Sequence, residues 1–515
     1  MFTFLIQLLT SINATAASFI ISAFVLLVLS IILYPRKAKL AVWVLFLCAL
    51  CLGVGFASID TFIHLWDEQY HALVAKNLAE SPLTPRLYPE APLTYNHQIW
   101  VANHIWLHKP PLSLWQMALS IKLFGANYFA VRLPSILMHA ILVFVIYRMG
   151  RVLYTERIGF IAAIVFTFLN YPLALLAGLH TAEHVDIAFM FYVTLSLWCW
   201  LEYHATKRLK WLLLMGLFSG GAVLTKWLVG LLAYAGAGLV LLIYKTYRNS
   251  FLHWKHLSMS IGVTALVVVP WHVYAFFAFP KEYAHEMAYN SKHFYSVVEQ
   301  HGGDFFYYWD NLNELYGNGD FIQWLILLAV ISIPFFTKNV IHAVFLLISI
   351  GTPYFFFTLA ATKMMSFCVI VAPIIALVVV ACIVGVVRKI PYLTELPYAR
   401  ILRGLTIIFV AILLLRPYQA MMNHKLDTKA SLELRRVYEV SQAAIKDLLL
   451  EEDKMYALSD ANFLPEEAIL WMFYQHNVIA YNHSFSEEEQ KHLLDEGYTI
   501  RKIEWKDNVP YLLGY

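Results

Sequence analysis

Residues 364–388 read MMSFCVIVAPIIALVVVACIVGVVR, with no charged side chain before Arg388. A helix needs about 20 mostly apolar residues to cross the hydrocarbon core of a bilayer. The stretch is therefore predicted to be a transmembrane helix. Comparable apolar stretches recur at approximately 15–34, 39–59, 127–149, 157–178, 186–204, 210–224, 227–245, 257–278, 320–336, 339–361 and 400–416. The chain is thus expected to be a polytopic α-helical membrane protein with about 12 spans.

The composition supports this fold class. Of the 515 residues, 60% are hydrophobic and 14% are charged, and the 37 Lys and Arg nearly balance the 34 Asp and Glu. Soluble domains average about 45–50% apolar and about 25% charged residues. The shortage of charge argues against a soluble enzyme, a disordered chain or a nucleic-acid binder, which would need a concentrated basic surface. All five cysteines lie in apolar runs, so no disulfide framework is expected.

Basic residues in the short loops predict the orientation. One set of loops carries seventeen Lys and Arg, and the opposite set carries eight in a much longer total sequence. Loops rich in Lys and Arg stay in the cytoplasm. We therefore expect the N-terminus and everything after Pro417 to lie on the non-cytoplasmic side of the membrane. The first span is expected to be retained, because no basic region precedes it as in a signal peptide.

Three regions are distinguished: an extra N-terminal membrane helix within 1–38, a transmembrane catalytic domain at 39–416 and an extracytoplasmic domain at 417–515. The outer loops 60–126 and 279–319 are long and rich in aromatic residues, which predicts short helices lying in the membrane interface. After Arg416 the sequence becomes polar and alternates between helix and strand patterns. This alternation predicts a small α/β domain, with a capping box at Ser486 and Glu489.

Adjacent carboxylates follow the second span in Trp66-Asp67-Glu68-Gln69-Tyr70. Acidic residues beside membrane spans are energetically costly, so they are candidates for function. One carboxylate could face a substrate while its neighbour fixes the loop or meets a cation. The alternative is the solvated start of a loop.

The motif Leu107-His108-Lys109-Pro110-Pro111-Leu112 places a lysine where two prolines fix the backbone. A lysine at membrane depth pairs with an anion, either a carboxylate or a lipid phosphate. The alternative is a lysine that extends its ammonium to the interface. His104 and His108 are spaced as metal ligands on a helix would be, but such spacing also arises by chance among 20 histidines.

Further charged residues are expected at the same outer boundary. The short loop His180-Thr-Ala-Glu-His-Val-Asp186 places Glu183 or Asp186 there, where Asp186 could instead cap a helix. Thr225-Lys226 and Thr362-Lys363 each end a span that runs outward. Together with Lys109 and Arg132 these lysines would form a cationic basin suited to a phosphodiester. Each lysine alone could be an interfacial anchor.

The ordered set of motifs resembles the GT-C glycosyltransferases, in the bacterial protein-mannosyltransferase-like branch that includes the lipid A aminoarabinose transferase-like family. The resemblance runs through most of residues 40–370. The segments that carry it are Asp67-Glu68, His108-Lys109-Pro110-Pro111-Leu112-Ser113-Leu114-Trp115, Leu123-Phe124-Gly125-Ala126-Asn127, Ala130-Val131-Arg132, Asp186, Leu224-Thr225-Lys226, Val269-Pro270-Trp271, Lys292-His293-Phe294 and Ala361-Thr362-Lys363.

The resemblance implies a polyprenyl-phosphate-sugar donor, transfer on the outer leaflet and a soluble outer domain. It implies a catalytic role for Asp67, contact of Lys109 with the donor phosphate and a functional aspartate at Asp186. The chain departs from the aminoarabinose enzymes in its extra N-terminal span. It also carries His108 where they have an acidic residue, and Tyr70 near a position where they have a basic one. A divalent metal bridging the two outer loops would have His108 and His293 as ligands.

On this resemblance we expect an inverting displacement at the anomeric carbon. Asp67 would accept the proton of the acceptor hydroxyl, and Glu68 or Asp186 would orient the sugar or the acceptor. Lys109, Arg132, Lys226 and Lys363 would neutralise the departing phosphate. No soluble cofactor is required. The acceptor could be lipid A, another surface glycan or a protein, and an acceptor that is itself a phosphate would need no base.

Two other classes of protein remain open. A transporter or flippase of lipid-linked sugars would need polar residues through the middle of the helices, whereas the acids and lysines here gather at the outer boundary. A non-catalytic scaffold that used the terminal α/β domain to bind a partner would leave the residues around Asp67 and Lys109 unexplained.

Overall fold

The computed structural model describes residues 13–179, 184–317, 319, 321–389, 429–459, 465–507 and 509–514. The predicted span 400–416 and the candidate Glu183 lie outside these ranges. Nineteen helices of the described chain precede its sheet: α1 Ala14–Leu33, α2 Ala38–Ala57, α3 Asp67–Glu80, α4 Pro111–Phe124, α5 Tyr128–Leu153, α6 Glu156–Thr167, α7 Asn170–Leu176, α8 His184–Thr206, α9 Leu209–Lys226, α10 Leu232–Ile243, α11 Lys245–Arg248, α12 Phe251–Ala278, α13 Pro280–Tyr295, α14 Tyr307–Asp310, α15 Leu312–Tyr316, α16 Phe321–Phe336, α17 Val340–Leu359, α18 Ala372–Lys389 and α19 Lys429–Asp447.

The membrane region is a helical bundle, as predicted. Within the described ranges, eight helices are long and apolar enough to cross a membrane. They are α1, α2, α5, α8, α9, α12, α17 and the helix at Met365–Lys389, whose first turns are 3₁₀. The predicted span 157–178 is instead a pair of helices, α6 and α7, that meet at an angle of 50°. Leu169, in the extended conformation between them, breaks the hydrogen-bond ladder.

Two predicted spans form shorter apolar helices. The stretch predicted at 227–245 begins with a 3₁₀ turn at Leu228–Leu231 and continues as α10, and the stretch predicted at 320–336 is α16.

Close packing of α5 against α6 depends on glycine. A Cβ on Gly150 would lie 2.2 Å from the Cα of Gly159, so only glycine allows the two backbones to approach.

The first outer loop contains α3, which is buried along nearly its whole length. The loop returns through a short antiparallel bridge between Arg86 and Ile105. Pro111 then begins α4, which suits proline because the first turn of a helix needs no backbone N–H bond. The second outer loop contains α13, which continues from α12 after a break at Phe279.

The C-terminal region contains strands β1 Met455–Ser459, β2 Val478–Tyr481, β3 Tyr498–Lys506 and β4 Val509–Gly514, and helices α20 Pro465–Tyr474 and α21 Glu487–Asp495. The strand order is β2-β1-β3-β4. β1 runs parallel to β2 and β3, with Ala457 opposite Ile479 and Ile500, and β4 is antiparallel to β3. The predicted capping box at Ser486 and Glu489 is present. The sequence analysis missed β4, which is a hairpin partner of β3.

The C-terminal region packs against the first outer loop. Buried side chains of α3 and α20 belong to one apolar cluster. The ammonium of Lys76 on α3 donates to the carbonyls of Met472 and Gln475, both at 2.7 Å, at the C-terminal end of α20. A cation at this end of a helix satisfies carbonyls that lack an intrahelical partner. The sheet is therefore fixed to the element that begins with Asp67.

Candidate active site

Asp67 is the first residue of α3 and follows a strained backbone position. Trp66 has φ 72° and ψ −129°, which is unfavourable for a residue with a side chain. Such strain persists only where the surrounding structure imposes it, and it concentrates at functional sites. Within the described chain, the carboxylate of Asp67 has no hydrogen-bond donor. Burial raises the pKa of Asp67, while the charges of Lys109 and Lys226 oppose that rise.

Lys226 and Asp186 join two membrane helices beside Asp67. Lys226, the last residue of α9, forms an ion pair with Asp186 Oδ1 in the first turn of α8. Asp186 is only 1% exposed, and its Oδ2 has no partner among the described residues. The Lys226 ammonium also lies 5.1 Å from the ring centroid of Phe367. The next residue, Trp227, has φ 67°, so a second strained position adjoins the site.

Lys109 forms no ion pair with a described residue. It lies between His108 and Pro110 and is partly exposed. Its charge acts on Asp67, Glu286 and Glu299. An ammonium that faces several carboxylates without being held by one is available to an incoming anion.

Glu68 and Arg132 form a buried structural pair. Arg132 Nε lies 2.6 Å from Glu68 Oε1, Arg132 Nη2 lies 2.9 Å from Oε2, and both side chains have no exposed surface. Glu68 also accepts from the backbone N–H of His64 at 2.6 Å and contacts His184 Nε2 at 2.9 Å. Burial alone would raise the pKa of Glu68, but Arg132 and His184 hold it below its usual range.

The contacts of Arg132 and Glu68 favour a structural role over the predicted contact with substrate. Arg132 also donates to the carbonyls of Ala57, Asp60 and Phe62 at 2.6, 2.7 and 2.8 Å. Its guanidinium is enclosed by protein groups and is not placed to meet a phosphate. Glu68 is likewise enclosed, with no exposed surface. Together they fix the loop between α2 and Asp67.

Gly178 shows how tightly this pair is enclosed. It has φ 69°, and a Cβ there would lie 2.9 Å from Glu68 Oε2. Glycine satisfies both requirements, since it adopts positive φ without strain and leaves room for the carboxylate.

The two outer loops meet beside Lys109. The ring of His108 stacks on Trp100, with centroids 4.5 Å apart and planes at 7°, and its Nδ1 lies 3.4 Å from Glu286 Oε2. Glu299 Oε1 accepts from Tyr289 Oη at 2.8 Å and from Trp100 Nε1 at 3.1 Å. These contacts join 95–108 in the first loop to 282–299 in the second.

Sequence reasoning missed Trp100, Glu286, Tyr289 and Glu299. A signal was present for part of this set, because Glu282, Glu286, Tyr289 and His293 follow spacings of four, three and four residues. This periodicity places them on one face of α13. Burial raises the pKa of Glu286 to about 7, against opposing effects of His285 and Lys109. Glu299 lies in a non-helical segment, so no periodic pattern marks it.

The remaining predicted residues occupy different surroundings. Tyr70 is fully buried, and its ring centroid lies 4.9 Å from that of Trp100. Lys363 is 5% exposed, and its ammonium donates to the carbonyls of Thr358 and Ala360 at the end of α17. A role for Lys363 at the donor phosphate stays a prediction.

The segment around Lys363 holds the second outer loop. The backbone N–H of Thr362 donates to the carbonyl of His293 at 3.0 Å, and that of Lys363 donates to His301 at 2.9 Å. The Thr-Lys pair at 362–363 thus anchors the loop, whereas the pair at 225–226 reaches Asp186. The two Thr-Lys pairs therefore differ in role because their tertiary contacts differ.

The fit of a divalent metal was tested on the predicted ligands. His108 faces Glu286 and Trp100, and His293 packs against Tyr289 with ring centroids 5.8 Å apart. In the described ranges, no group of three or more His, Cys, Asp or Glu side chains is arranged to hold a metal ion. The described residues therefore do not supply a complete ligand set, and no chemical step is derived through a metal.

Comparisons with known proteins agree with this architecture. Residues 108–274 match the family model described as dolichyl-phosphate-mannose-protein mannosyltransferase. An undecaprenyl phosphate-alpha-4-amino-4-deoxy-L-arabinose arabinosyl transferase of Pseudomonas paraeruginosa is 31% identical over 185 residues, which cover 33% of this chain and 32% of the relative. The chain thus matches about a third of the length of such curated relatives.

Solved structures align over much more of the chain. ArnT from Cupriavidus metallidurans, bound to undecaprenyl phosphate, aligns with a TM-score of 0.59 and 16% identity over 88% of each chain. The apo oligosaccharyltransferase of Archaeoglobus fulgidus aligns with a TM-score of 0.55 and 12% identity over 92% of this chain and 70% of that one. At these identities the alignments establish the fold.

The protein is therefore a multi-pass membrane protein with the GT-C glycosyltransferase fold, as the sequence motifs predicted. Within that class, it is similar to the lipid A aminoarabinose transferase-like family.

Proposed function

We propose that the protein is an integral membrane glycosyltransferase that moves a sugar from a polyprenyl-phosphate donor to a cell-envelope acceptor. The observation that carries this proposal is the convergence of Asp67, Lys109 and the Lys226–Asp186 pair at one end of the bundle. A partly buried carboxylate beside two lysines combines a proton acceptor with charges suited to a phosphate. The names of the matched relatives, which describe undecaprenyl-phosphate arabinosyl transferases, support the same donor class.

The reaction follows from these groups. The acceptor hydroxyl oxygen forms a bond to the anomeric carbon, and the bond from that carbon to the phosphate oxygen breaks, with inversion. Asp67 accepts the hydroxyl proton, and polyprenyl phosphate leaves with the electron pair. The raised pKa of Asp67 makes it a stronger base than an exposed aspartate. If the acceptor is a phosphate, Asp67 positions it without taking a proton.

The lysines act on the departing phosphate. Lys109 is free of ion pairs with the described residues, so its ammonium can bind the phosphate without first losing a protein partner. Lys226 is held by Asp186 and is thereby fixed in direction. Charges that are oriented before the reaction stabilise the developing negative charge without reorganisation, which is usually a large contribution to catalysis.

The membrane orientation supports chemistry on the outer face. α2 ends before Asp67, α8 begins beside Asp186 and α9 ends at Lys226, so the site lies where these three spans meet the same membrane surface. Most of the basic loop residues lie at the opposite ends of the spans. By the positive-inside rule the site is periplasmic, with the C-terminal sheet on the same side.

The test is incubation of the purified full chain with a polyprenyl-phosphate sugar and a lipid A acceptor, followed by detection of free polyprenyl phosphate. Asp67→Asn is expected to lower the rate at least about a hundredfold if Asp67 is the base. Glu80→Gln, on the exposed end of the same helix, serves as the matched control. The wild-type rate should rise with pH through the raised pKa of Asp67, because only the ionised carboxylate accepts a proton.

The transferase proposal, the flippase alternative and the role of Asp67 each predict a different result. A folded wild-type protein that releases no polyprenyl phosphate with any lipid, glycan or protein acceptor would contradict the transferase proposal. Movement of the intact donor across vesicle membranes without its cleavage would favour the flippase. Turnover that persists in Asp67→Asn would leave the transferase standing and remove Asp67 as its base.

A further inference from the structure

A second cluster of titratable side chains lies at the other end of the bundle from Asp67. α8 carries Asp186 in its first turn and His204 in its last turn. Eighteen residues of helix separate them, which corresponds to about 27 Å. The transferase chemistry proposed above therefore makes no use of the region around His204.

The helices leave a small cavity there. It is partly open to solvent, and its walls include Trp200, His204, Tyr247 and His253. The imidazole of His204 lies between two aromatic rings, with centroids 5.4 Å from Trp200 and 5.8 Å from Tyr247. Its Nδ1 is 2.7 Å from Nε2 of His342, which is 6% exposed. The imidazoles therefore face inward rather than into solvent.

The charged groups that act on these histidines are all basic. His204 is influenced by His342, Lys207 and His253; His253 by Lys207 and His256; and His342 by Lys207 and Lys338. Within the described chain no carboxylate balances them. A bound anion would supply a counter-charge for the Lys207 ammonium and for any imidazole that is protonated beside it.

Two side chains at this cavity have hydrogen-bond donors that could bind an anion. His253 Nε2 is buried and has no partner among the described residues. Lys207 donates to Tyr247 Oη at 2.7 Å and lies 4.7 Å from the centroid of that ring. This contact uses one ammonium hydrogen and leaves the others available. Lys210, in the first turn of α9, is also exposed, but its ammonium lies 5.0 Å from the ring centroid of Trp211, which does not line the cavity.

We propose that this cavity, lined by His204 and His253 with Lys207 at its mouth, binds the phosphate group of an anionic ligand. Two sources share that chemistry: the phosphodiester of a lipid headgroup and a soluble phosphate. By the positive-inside rule, the ligand comes from the cytoplasmic leaflet or from the cytoplasm. The site is separate from the proposed donor site and does not depend on the transferase activity.

The experiment uses the purified full chain in a neutral detergent with three probes: phosphatidylglycerol, inorganic phosphate and diacylglycerol, which lacks phosphate. Binding is followed by native mass spectrometry and by the shift in the thermal unfolding midpoint. The measurements are made in a Lys109→Ala background to remove binding at the proposed donor site. Saturable binding of phosphatidylglycerol alone identifies a lipid headgroup, whereas binding of inorganic phosphate identifies a soluble source.

Two variants and one control locate the binding. His253→Gln removes an imidazole whose Nε2 has no partner among the described residues, and Lys207→Gln removes the ammonium, so neither change breaks the His204–His342 contact. Each should weaken binding about tenfold, the effect of one charge-assisted hydrogen bond. Lys210→Gln, which alters a neighbouring exposed lysine, should bind as the parent does. If neither phosphate probe binds saturably, or if both variants bind like the parent, the proposal is wrong.

Discussion

The side-chain amide of Gln442 is hydrogen-bonded to both backbone groups of Ile63. The N–H of Ile63 donates to Gln442 Oε1 at 2.9 Å, and Gln442 Nε2 donates to the Ile63 carbonyl at 2.7 Å. Gln442 lies on α19, and its Oε1 also accepts from Tyr474 of α20 at 2.8 Å. The C-terminal region thus bonds to the backbone of the loop that leads into Asp67, in the way that a neighbouring β-strand would.

The first prediction concerns this contact. Gln442→Ala should lower kcat by about ten- to a hundredfold with little change in KM for the donor, because small displacements of a reacting group cost rate more than affinity. Gln442→Glu keeps the bond from the Ile63 N–H and loses the bond to its carbonyl, so it should be intermediate. The control is Glu439→Gln on the same helix, where Glu439 Oε1 accepts a hydrogen bond from Thr61 Oγ1 at 3.2 Å. A rise in KM alone would argue against a positioning role.

The second prediction concerns Arg132. Arg132→Lys should lower the unfolding midpoint and the yield of monodisperse protein. Lysine keeps the charge but loses the bidentate contact with Glu68 and leaves buried carbonyls without a donor, at about 1–3 kcal/mol for each unsatisfied group. Arg151→Lys is a suitable comparison, since Arg151 pairs with Glu156 at 3.1 Å on a half-exposed surface. If Arg132→Lys is as stable as wild type but binds the donor poorly, Arg132 meets the phosphate after all.

The third prediction separates two lysines that the sequence placed in one basin. Lys109→Ala removes an ammonium that forms no ion pair with the described residues, so donor affinity should fall about tenfold or more while stability is kept. Lys363→Ala removes the cap on the Thr358 and Ala360 carbonyls, so stability should fall more than affinity. Binding of a polyprenyl-phosphate analogue and thermal unfolding measure the two effects. The reverse pattern would place Lys363, rather than Lys109, at the phosphate.

The fourth prediction is a pH dependence at Glu286. Its pKa in the folded protein, about 7, is above the ordinary value of 4.5, so the folded state holds the proton more tightly than the unfolded state. The stability due to this group is therefore full below pH 4.5 and is lost as pH rises through about 7. The loss amounts to about 3 kcal/mol at most.

Glu286→Gln tests this linkage. The amide cannot ionise, so the variant should gain thermal stability relative to wild type between pH 5 and pH 8. Glu80→Gln, at an exposed position, should show no such gain. Parallel pH profiles for Glu286→Gln and wild type would mean that Glu286 does not titrate in this range.

The positions of the spans and the helix–strand order of the C-terminal region could be predicted because both depend on local patterns. Length and hydrophobicity mark a membrane helix, as at 340–359, and a capping box marks a helix start, as at Ser486. The bend between α6 and α7 could not be predicted, because a run of apolar residues is equally compatible with one straight helix. β4 was missed although it pairs with the adjacent strand β3, because Val509–Gly514 is short and contains Pro510, a residue that is unusual within a strand.

The sequence by itself determined that this chain spans a membrane many times and that acids and lysines gather at one face, because hydrophobic length and charge are properties of the residues. Only the tertiary structure decided what each charged residue does. Asp67 and Glu68 are neighbours, yet one faces Lys109 and the other is enclosed by Arg132 and His184. Adjacent residues on a helix point about 100° apart, so the surrounding helices, rather than the motif, determine which carboxylate is available for chemistry.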